Sequence, residues 1–293
     1  MQINGIKGRI EQNVSLRTLS TWKIGGIAEW VIWPKDSDEL ETLWCWAHEN
    51  QIPIRLIGRG SNLLFPDEGL KGITVVSTAL NREIWKECSL KAEAGCSLAR
   101  LAQEAGERGM NGLEFARGIP GTLGGAIVMN AGAHGGEIQN VLRSVKVLTE
   151  DGGVRTFDKK EIAFGYRECS LQGKAWILEA KLQFEPGNKE EIKRQMAENL
   201  EKRRAAQPSE LPNAGSVFRN PPGDSAGRLI EQAGWKGKGI GGAQVSPKHA
   251  NFIVNLGNAT AQDVLALIEA IQNDVLAKFG VRLQTEVHYI SPV

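Results

Sequence analysis

The stretch Arg117-Gly-Ile-Pro-Gly-Thr-Leu-Gly-Gly-Ala-Ile-Val-Met-Asn-Ala-Gly-Ala-His-Gly-Gly136 constrains this chain more than any other. Glycine has no Cβ, so its backbone reaches positive φ and lets other groups approach closely. Two readings of the stretch stand side by side. It is a series of ordinary tight turns, or it is a loop that points several amides at one anion, commonly a diphosphate. No Lys-Ser or Lys-Thr follows the glycines, which excludes a P-loop. Nor is the order Gly-x-Gly-x-x-Gly, which excludes the Rossmann fingerprint.

A length of 293 residues suggests roughly two domains of about 150 residues. Charged residues of both signs are interspersed and sum to a net charge of +1. That balance gives neither the basic footprint of nucleic-acid binding nor a cationic membrane-surface helix. The first ten residues lack the apolar centre of a secretory signal, and no apolar run approaches the ~18 residues of a membrane span. A cytoplasmic location is expected. Cys45, Cys88, Cys96 and Cys169 are scattered, with no Cys-x-x-Cys pair, and are expected to be free thiols. His48, His249 and His288 have no metal-ligand spacing, so no metal is expected.

Along the chain, residues 1–20 read as an arm. Strands are expected at 28–33, 52–57 and 72–77, with a helix from an Asp36 cap to about Asn50. The second strand runs into Gly58-Arg-Gly-Ser-Asn62, another glycine turn. Residues 81–95 read as strands, and Ser97 as the cap of a helix closed by Gly109. Residues 141–149 and 154–157 read as a hairpin about Asp151-Gly-Gly153, and 176–184 as a further strand. A polar helix over 189–206 marks a boundary near residue 187. Residues 225–233 read as a short helix and 251–256 as a strand. Thr260 opens the best helix, with Val264, Leu267, Ile268, Ile271, Val275 and Phe279 on one buried face and Gly280 as its stop. Residues 281–289 alternate as a last strand. Arg282, Gln284, Glu286 and His288 share one side of it, which meets water or lines a site.

Each motif alone is common, but their order is not. A strand leads into Gly58-Arg-Gly-Ser-Asn62, and Gly118-Ile-Pro-Gly-Thr-Leu-Gly-Gly125 leads to Asn130-Ala-Gly-Ala133. Gly165-Tyr-Arg-Glu168, Asn213-Ala-Gly-Ser-Val-Phe-Arg-Asn-Pro221 and Thr285-Glu-Val287 follow. In this register, from about Thr18 to Tyr289, the chain resembles the UDP-N-acetylenolpyruvoylglucosamine reductases, flavoenzymes of bacterial peptidoglycan precursor synthesis. The resemblance implies an α+β fold: an FAD-binding region of the vanillyl-alcohol-oxidase type in two subdomains, plus an α+β C-terminal substrate-binding domain. The domains are then expected at 1–20 (arm), 21–187 (FAD-binding, split near 80) and 188–293 (substrate-binding). The implied reaction is NADPH-dependent reduction of UDP-N-acetylglucosamine enolpyruvate to UDP-N-acetylmuramate through bound FAD. Its partner is the UDP-linked sugar, without nucleic acid or membrane insertion.

The resemblance also assigns residues. Gly58, Gly60, Ser61, Asn62, Gly118, Pro120, Gly121, Thr122, Gly124, Gly125, Asn130, Ala131, Gly132 and Ala133 would wrap the FAD diphosphate and adenosine. Ser216 would donate a proton, Arg167 would clamp the substrate carboxylate with its planar fork, and Glu286 would stabilise the enol. A carboxylate beside a developing enolate repels it, so burial is expected to hold Glu286 protonated. Arg204, Gln207, Asn220 and Gln232 lie at or beside positions that resemble substrate contacts. His134 stands where the family often has Tyr, and either ring would flank the cofactor. Only 49 positions separate Arg167 from Ser216, which leaves little room for the extra Tyr-bearing loop of some members, so the chain is placed in the shorter-loop subclass. An FAD oxidase of sugar lactones or alcohols, a flavin-binding module without turnover and a structural partner in wall synthesis are the rival readings. The 213–216 and 285–286 motifs oppose the first, and the intact triad opposes the second.

Overall fold

Strands between residues 83 and 183 build a five-stranded antiparallel sheet, in the order Val154–Asp158, Leu142–Thr149, Ala175–Gln183, Ser89–Glu93, Glu83–Lys86. The structure, a computed structural model, describes residues 5–292. Its contacts gather the chain into two units. The first takes Met1–Glu11, Val31–Arg59 and Gly72–Arg203, and the second takes Gln12–Trp30, Gly60–Lys71 and Arg204–Val293. Neither unit is one continuous segment of chain.

The first unit holds the five-stranded sheet. Gly152, at φ +79°, turns its hairpin between 149 and 154, and the Gly153 amide donates to Asp151 Oδ1 at 3.2 Å. A register shift between Lys146 and Val147 breaks the inside–outside alternation, so Val147 and Leu148 are both buried. Helix α1 (Ser37–Glu49) starts where expected, with Asp36 accepting the Glu39 amide at 3.0 Å. Strand Ile54–Ile57 pairs in parallel with Leu70–Val76. Helix α2 (Leu98–Glu107) buries Leu98, Leu101, Ala102 and Ala105 and ends before Gly109 at φ +70°. Ser97 stands at its cap position, but its side chain makes no capping bond. Its backbone instead forms a bridge to Thr122.

The glycine stretch contains a helix that its composition concealed, α3 (Leu123–Val128), capped by Thr122. Helix α4 (Lys189–Ala206) shares the same core through Ile192 and Met196, and buried Asn199 donates to the Glu114 carbonyl at 3.3 Å. A Cβ on Gly106 would stand 2.9 Å from Met196 Sδ, so glycine there lets α4 seat. The expected boundary at 187 assigned α4 to the C-terminal part. Packing instead places it, through Arg203, with the first unit.

The second unit combines early and late sequence. Strands Gly239–Ile240, Ala243–Val245 and Ile253–Asn255 form an antiparallel meander. Trp22, fully buried, donates its indole N–H to the Ile253 carbonyl at 2.8 Å, and Asn255 Nδ2 donates to the Trp22 carbonyl at 2.9 Å. Helices α5 (Ala226–Gln232) and α6 (Ala261–Phe279) cover this core. The α6 face is as expected from Val264 to Val275, but Phe279 is 36% exposed, because it is the last helical residue before left-handed Gly280.

The last expected strand does not form over its length. Residues 281–289 change partners midway. Thr285 bridges Phe218, whereas only His288–Tyr289 form a strand, parallel to Leu63–Leu64. Alternation follows the same break: Leu283 and Val287 are buried, while Thr285 and Tyr289 face outward with Arg282 and Gln284.

Candidate functional site

In the first unit Gly58, which opens the earlier glycine loop, lies against Thr122 of the later one. A Cβ at Gly58 would stand 2.6 Å from Thr122 Oγ1, so only glycine permits the approach. Thr122 accepts the Gly125 amide at 3.3 Å, which starts α3. The Leu123 and Gly124 amides are held by the carbonyls of Cys96 and Ala94, both at 2.8 Å. A Cβ on Gly124 would meet Ala94 Cβ at 2.9 Å. Gly124 therefore serves close packing of α3 on the sheet, and its amide is already engaged. Gly121 has φ +132°, and Pro120 beside it is exposed.

Beyond α3 the chain forms a hairpin, Gly132–Ala133 with Gly136–Glu137, whose turn residues His134 and Gly135 both have positive φ. His134 is exposed at its tip. Asn130 is fully buried: its Nδ2 donates to Glu137 Oε2 at 2.7 Å and to the Gly165 carbonyl at 3.0 Å. Gly165 begins the turn that carries Arg167, between strands Phe164–Gly165 and Glu168–Cys169. Arg167 has φ +60°, a region that side chains other than Gly, Asn and Asp seldom enter, and its Nη2 donates to the Gly132 carbonyl at 2.9 Å. Asn130 and Gly132, quoted above as cofactor residues, thus hold the Arg167 turn in place.

A cavity of about 480 Å³ opens in the same unit, lined by Arg59, Thr78, Asn81, Gly95, Ser97 and Arg100. Ser97 bridges Thr122 and Arg59 follows Gly58, so the cavity borders both glycine loops. None of these lining residues is among the site residues expected from the sequence. They stand just after strands Leu70–Val76 and Ser89–Glu93, where α/β proteins gather ligands, and that position was the available signal.

In the second unit Ser216 and Glu286 come onto adjoining backbones. The Glu286 amide donates to the Val217 carbonyl at 2.7 Å and the Arg219 amide to the Gln284 carbonyl at 2.9 Å. Asn213 Oδ1 accepts the Gly215 amide at 3.0 Å, and Gly215 has φ +80°, so a side-chain turn presents Ser216. Asn251, buried, splints the next two residues. Its carbonyl accepts the Val217 amide at 2.8 Å, its Oδ1 accepts the Phe218 amide at 2.9 Å and its Nδ2 donates to the Phe218 carbonyl at 2.8 Å. Asn62 Nδ2 donates to the Glu286 carbonyl at 3.1 Å. Burial, with the Arg219 charge second, pushes the His288 imidazole below its ordinary 6.5.

The substrate candidates are more scattered. Asn220 Oδ1 accepts the first amide of α5 at 3.0 Å, and Gln232 Oε1 accepts from Arg228 at 2.6 Å. Arg204 is exposed, its carbonyl held by Lys248 Nζ at 2.7 Å, and the Gln207 carbonyl accepts the Ser209 amide at 3.0 Å. Arg219, Gln272, Arg282, Gln284 and Thr285 line a second cavity of about 620 Å³, so part of the polar side of residues 281–289 faces a recess rather than open water. Among the described residues, no three His, Cys, Asp or Glu gather as metal ligands, and no helix is long and apolar enough to cross a membrane.

Comparisons with known proteins fix the class first. The family profile described as "FAD binding domain" matches residues 28–158. A solvent-stable cholesterol oxidase of known structure shares the fold, at a TM-score of 0.50 and 19% identity over 64% of this chain and 40% of the oxidase. The chain is an FAD-dependent oxidoreductase built on an α+β fold of this type. The profile "UDP-N-acetylenolpyruvoylglucosamine reductase, C-terminal domain" matches residues 207–290. Reductases of that name are 46% identical in Symbiobacterium thermophilum, over 96% of this chain and 92% of the relative, and 47% in Heliobacterium modesticaldum, over 97% and 91%. The crystal structure of the Thermus caldophilus reductase superposes with a TM-score of 0.84 at 37% identity, over 96% of this chain and 99% of that one. The chain belongs to the UDP-N-acetylenolpyruvoylglucosamine reductase family.

Proposed function

We infer that this chain reduces UDP-N-acetylglucosamine enolpyruvate to UDP-N-acetylmuramate in the cytoplasm, with FAD as bound cofactor and NADPH as hydride donor, as a step of peptidoglycan precursor synthesis. One observation supports the reading most strongly. Ser216 and Glu286, far apart in sequence, are tied onto adjoining backbones by the Glu286–Val217 hydrogen bond, in a chain of the reductase family.

The first unit fits FAD. Gly58 and Thr122 approach in a way a Cβ would block, and a cavity with polar and cationic walls borders both loops. Residues 21–187, together with α4, are assigned to cofactor binding, after an arm at 1–20, and the remainder of 188–293 to the substrate. When bound, FAD relays a hydride from NADPH to the vinyl carbon of the substrate. The remaining steps belong to the chain. Arg167 binds the enolpyruvyl carboxylate, and its always-charged fork offsets the negative charge that hydride addition places beside it. Ser216 Oγ donates the proton to the carbon bearing that carboxylate, and Glu286, in its protonated form, hydrogen-bonds the enol oxygen. Between Arg167 and Ser216 the described elements are three strands and α4, which favours the shorter-loop subclass.

Mass spectrometry of the sugar nucleotide after incubation with enzyme and NADPH tests the reading. A product heavier by two hydrogens is expected, with one NADPH consumed per product. Recovery of unchanged enolpyruvyl sugar while NADPH is consumed contradicts it.

A further inference from the structure

Arg203 lies in neither profile match: it falls between residues 158 and 207. It stands on α4, whose position is fixed by Ile192, Met196 and the Asn199–Glu114 bond. One turn after Asn199, the Arg203 side chain lies across Gly118. A Cβ there would meet Arg203 Cδ at 2.7 Å and Nε at 3.6 Å. Glycine at 118 therefore makes room for this arginine.

The guanidinium is half-buried, and among the described residues it has no hydrogen-bond or ion-pair partner. Burial alone lowers its pKa, with no neighbouring carboxylate acting against it. Arg82, Arg100, Arg155, Arg194 and Arg228 all pair with acids. Arg117, next to Gly118, is a second half-buried guanidinium with no partner among the described residues. The nearby Glu114 carboxylate accepts the Gly112 amide with both oxygens, at 3.0 and 2.9 Å. A desolvated cation without an acceptor is unfavourable. An anion supplied from outside the chain resolves that cost.

We propose that Arg203, reaching from α4 over Gly118, binds a phosphate oxygen of the FAD diphosphate, with Arg117 as the second cation of the same anion site. The cofactor would then be held in part by a residue outside the matched FAD-binding segment. This inference rests on the reading that the chain binds FAD. Other ligands of the family reaction also carry anions, namely the sugar nucleotide and NADPH, and the test separates them.

The full-length chain is stripped of flavin and titrated with FAD and, separately, with riboflavin, which lacks phosphate. Wild type, Arg203→Met and Arg203→Lys are compared, and far-ultraviolet circular dichroism checks that each variant is folded. Arg203→Met is expected to weaken FAD binding at least tenfold, with little change for riboflavin. Arg203→Lys is expected to recover part of the loss, and the salt dependence of FAD binding is expected to flatten in Arg203→Met. Should Arg203→Met bind FAD within twofold of wild type, the proposal fails; a raised KM for the sugar nucleotide or NADPH in that variant then assigns the anion to that ligand. Equal weakening of FAD and riboflavin also overturns it, because the contact is then not to phosphate. A wild-type chain that takes up no FAD defeats the underlying reading instead.

Discussion

Arg167, the proposed carboxylate clamp, joins a charged side chain to a backbone that resists it. At φ +60° a side chain costs roughly 1 kcal/mol or more relative to glycine, so the surrounding bonds from Asn130 and to Gly132 must hold the turn. Arg167→Gly is expected to leave thermal stability unchanged or slightly higher while turnover falls by about a hundredfold or more, since loss of a bidentate cation removes both charge and orientation. Arg167→Lys should keep the charge yet remain well below wild type, because a point charge does not reproduce the fork. Steady-state kinetics beside a melting curve separates the two effects. Ser216→Ala is expected to leave the rate of flavin reduction by NADPH intact and to slow product formation by about 10²–10⁴-fold, the range for loss of a positioned proton donor. Stopped-flow absorbance with and without the sugar nucleotide reads both.

His249 also belongs at this scale. Its Nδ1 accepts the Asn251 amide at 3.2 Å, and burial, reinforced by the Lys236 charge, lowers its pKa below the ordinary 6.5. The folded state thus favours neutral imidazole, and the unfolded chain binds the proton first. Stability from this group is complete above pH 6.5 and is lost as pH falls below it. His288 acts in the same direction. The melting temperature is expected to drop between pH 7 and pH 5, and to drop less in His249→Gln. An equal drop in both proteins removes His249 from the account.

Among elements, the legible ones carry their signals locally. Thr260 and Asp263 form the reciprocal cap that opens α6, and Asp36 caps α1, each within four residues of what it satisfies. What the sequence concealed depends on distant partners. Asn251 splints Val217 and Phe218 from 33 positions away, and nothing around it announces that role. Residues 281–289 alternate as a strand should, but no single neighbour runs alongside them. The Arg203–Gly118 approach and the role of Gly124 in packing are also tertiary facts. Family motifs nominated Ser216, Arg167 and Glu286, whereas the backbone supports of all three became visible only in three dimensions. Asn251→Ala strips the side-chain bonds from a buried splint. It is expected to cost about 2–6 kcal/mol, from two unsatisfied backbone groups at about 1–3 kcal/mol each, and to lower turnover through Ser216. Denaturant unfolding and kinetics on the same preparation check both.

For the whole molecule, cofactor and fold are coupled. A ligand bound only by the folded chain stabilises it by mass action, so FAD at about 100 times its Kd is expected to add about 2.7 kcal/mol. The buried thiols should remain silent throughout: burial pushes Cys96 up to about 12, whereas Cys45 is exposed. On this reading one chain carries a hydride from NADPH to an enolpyruvyl ether, and an anaerobic titration observes both transfers. The holoenzyme is bleached with one equivalent of NADPH, and the UDP-linked enolpyruvyl sugar is then added. Return of the oxidised flavin spectrum with that sugar, and not with UDP-N-acetylglucosamine, is the expected result. A flavin that NADPH fails to bleach, or that stays bleached in the presence of the enolpyruvyl sugar, contradicts the account.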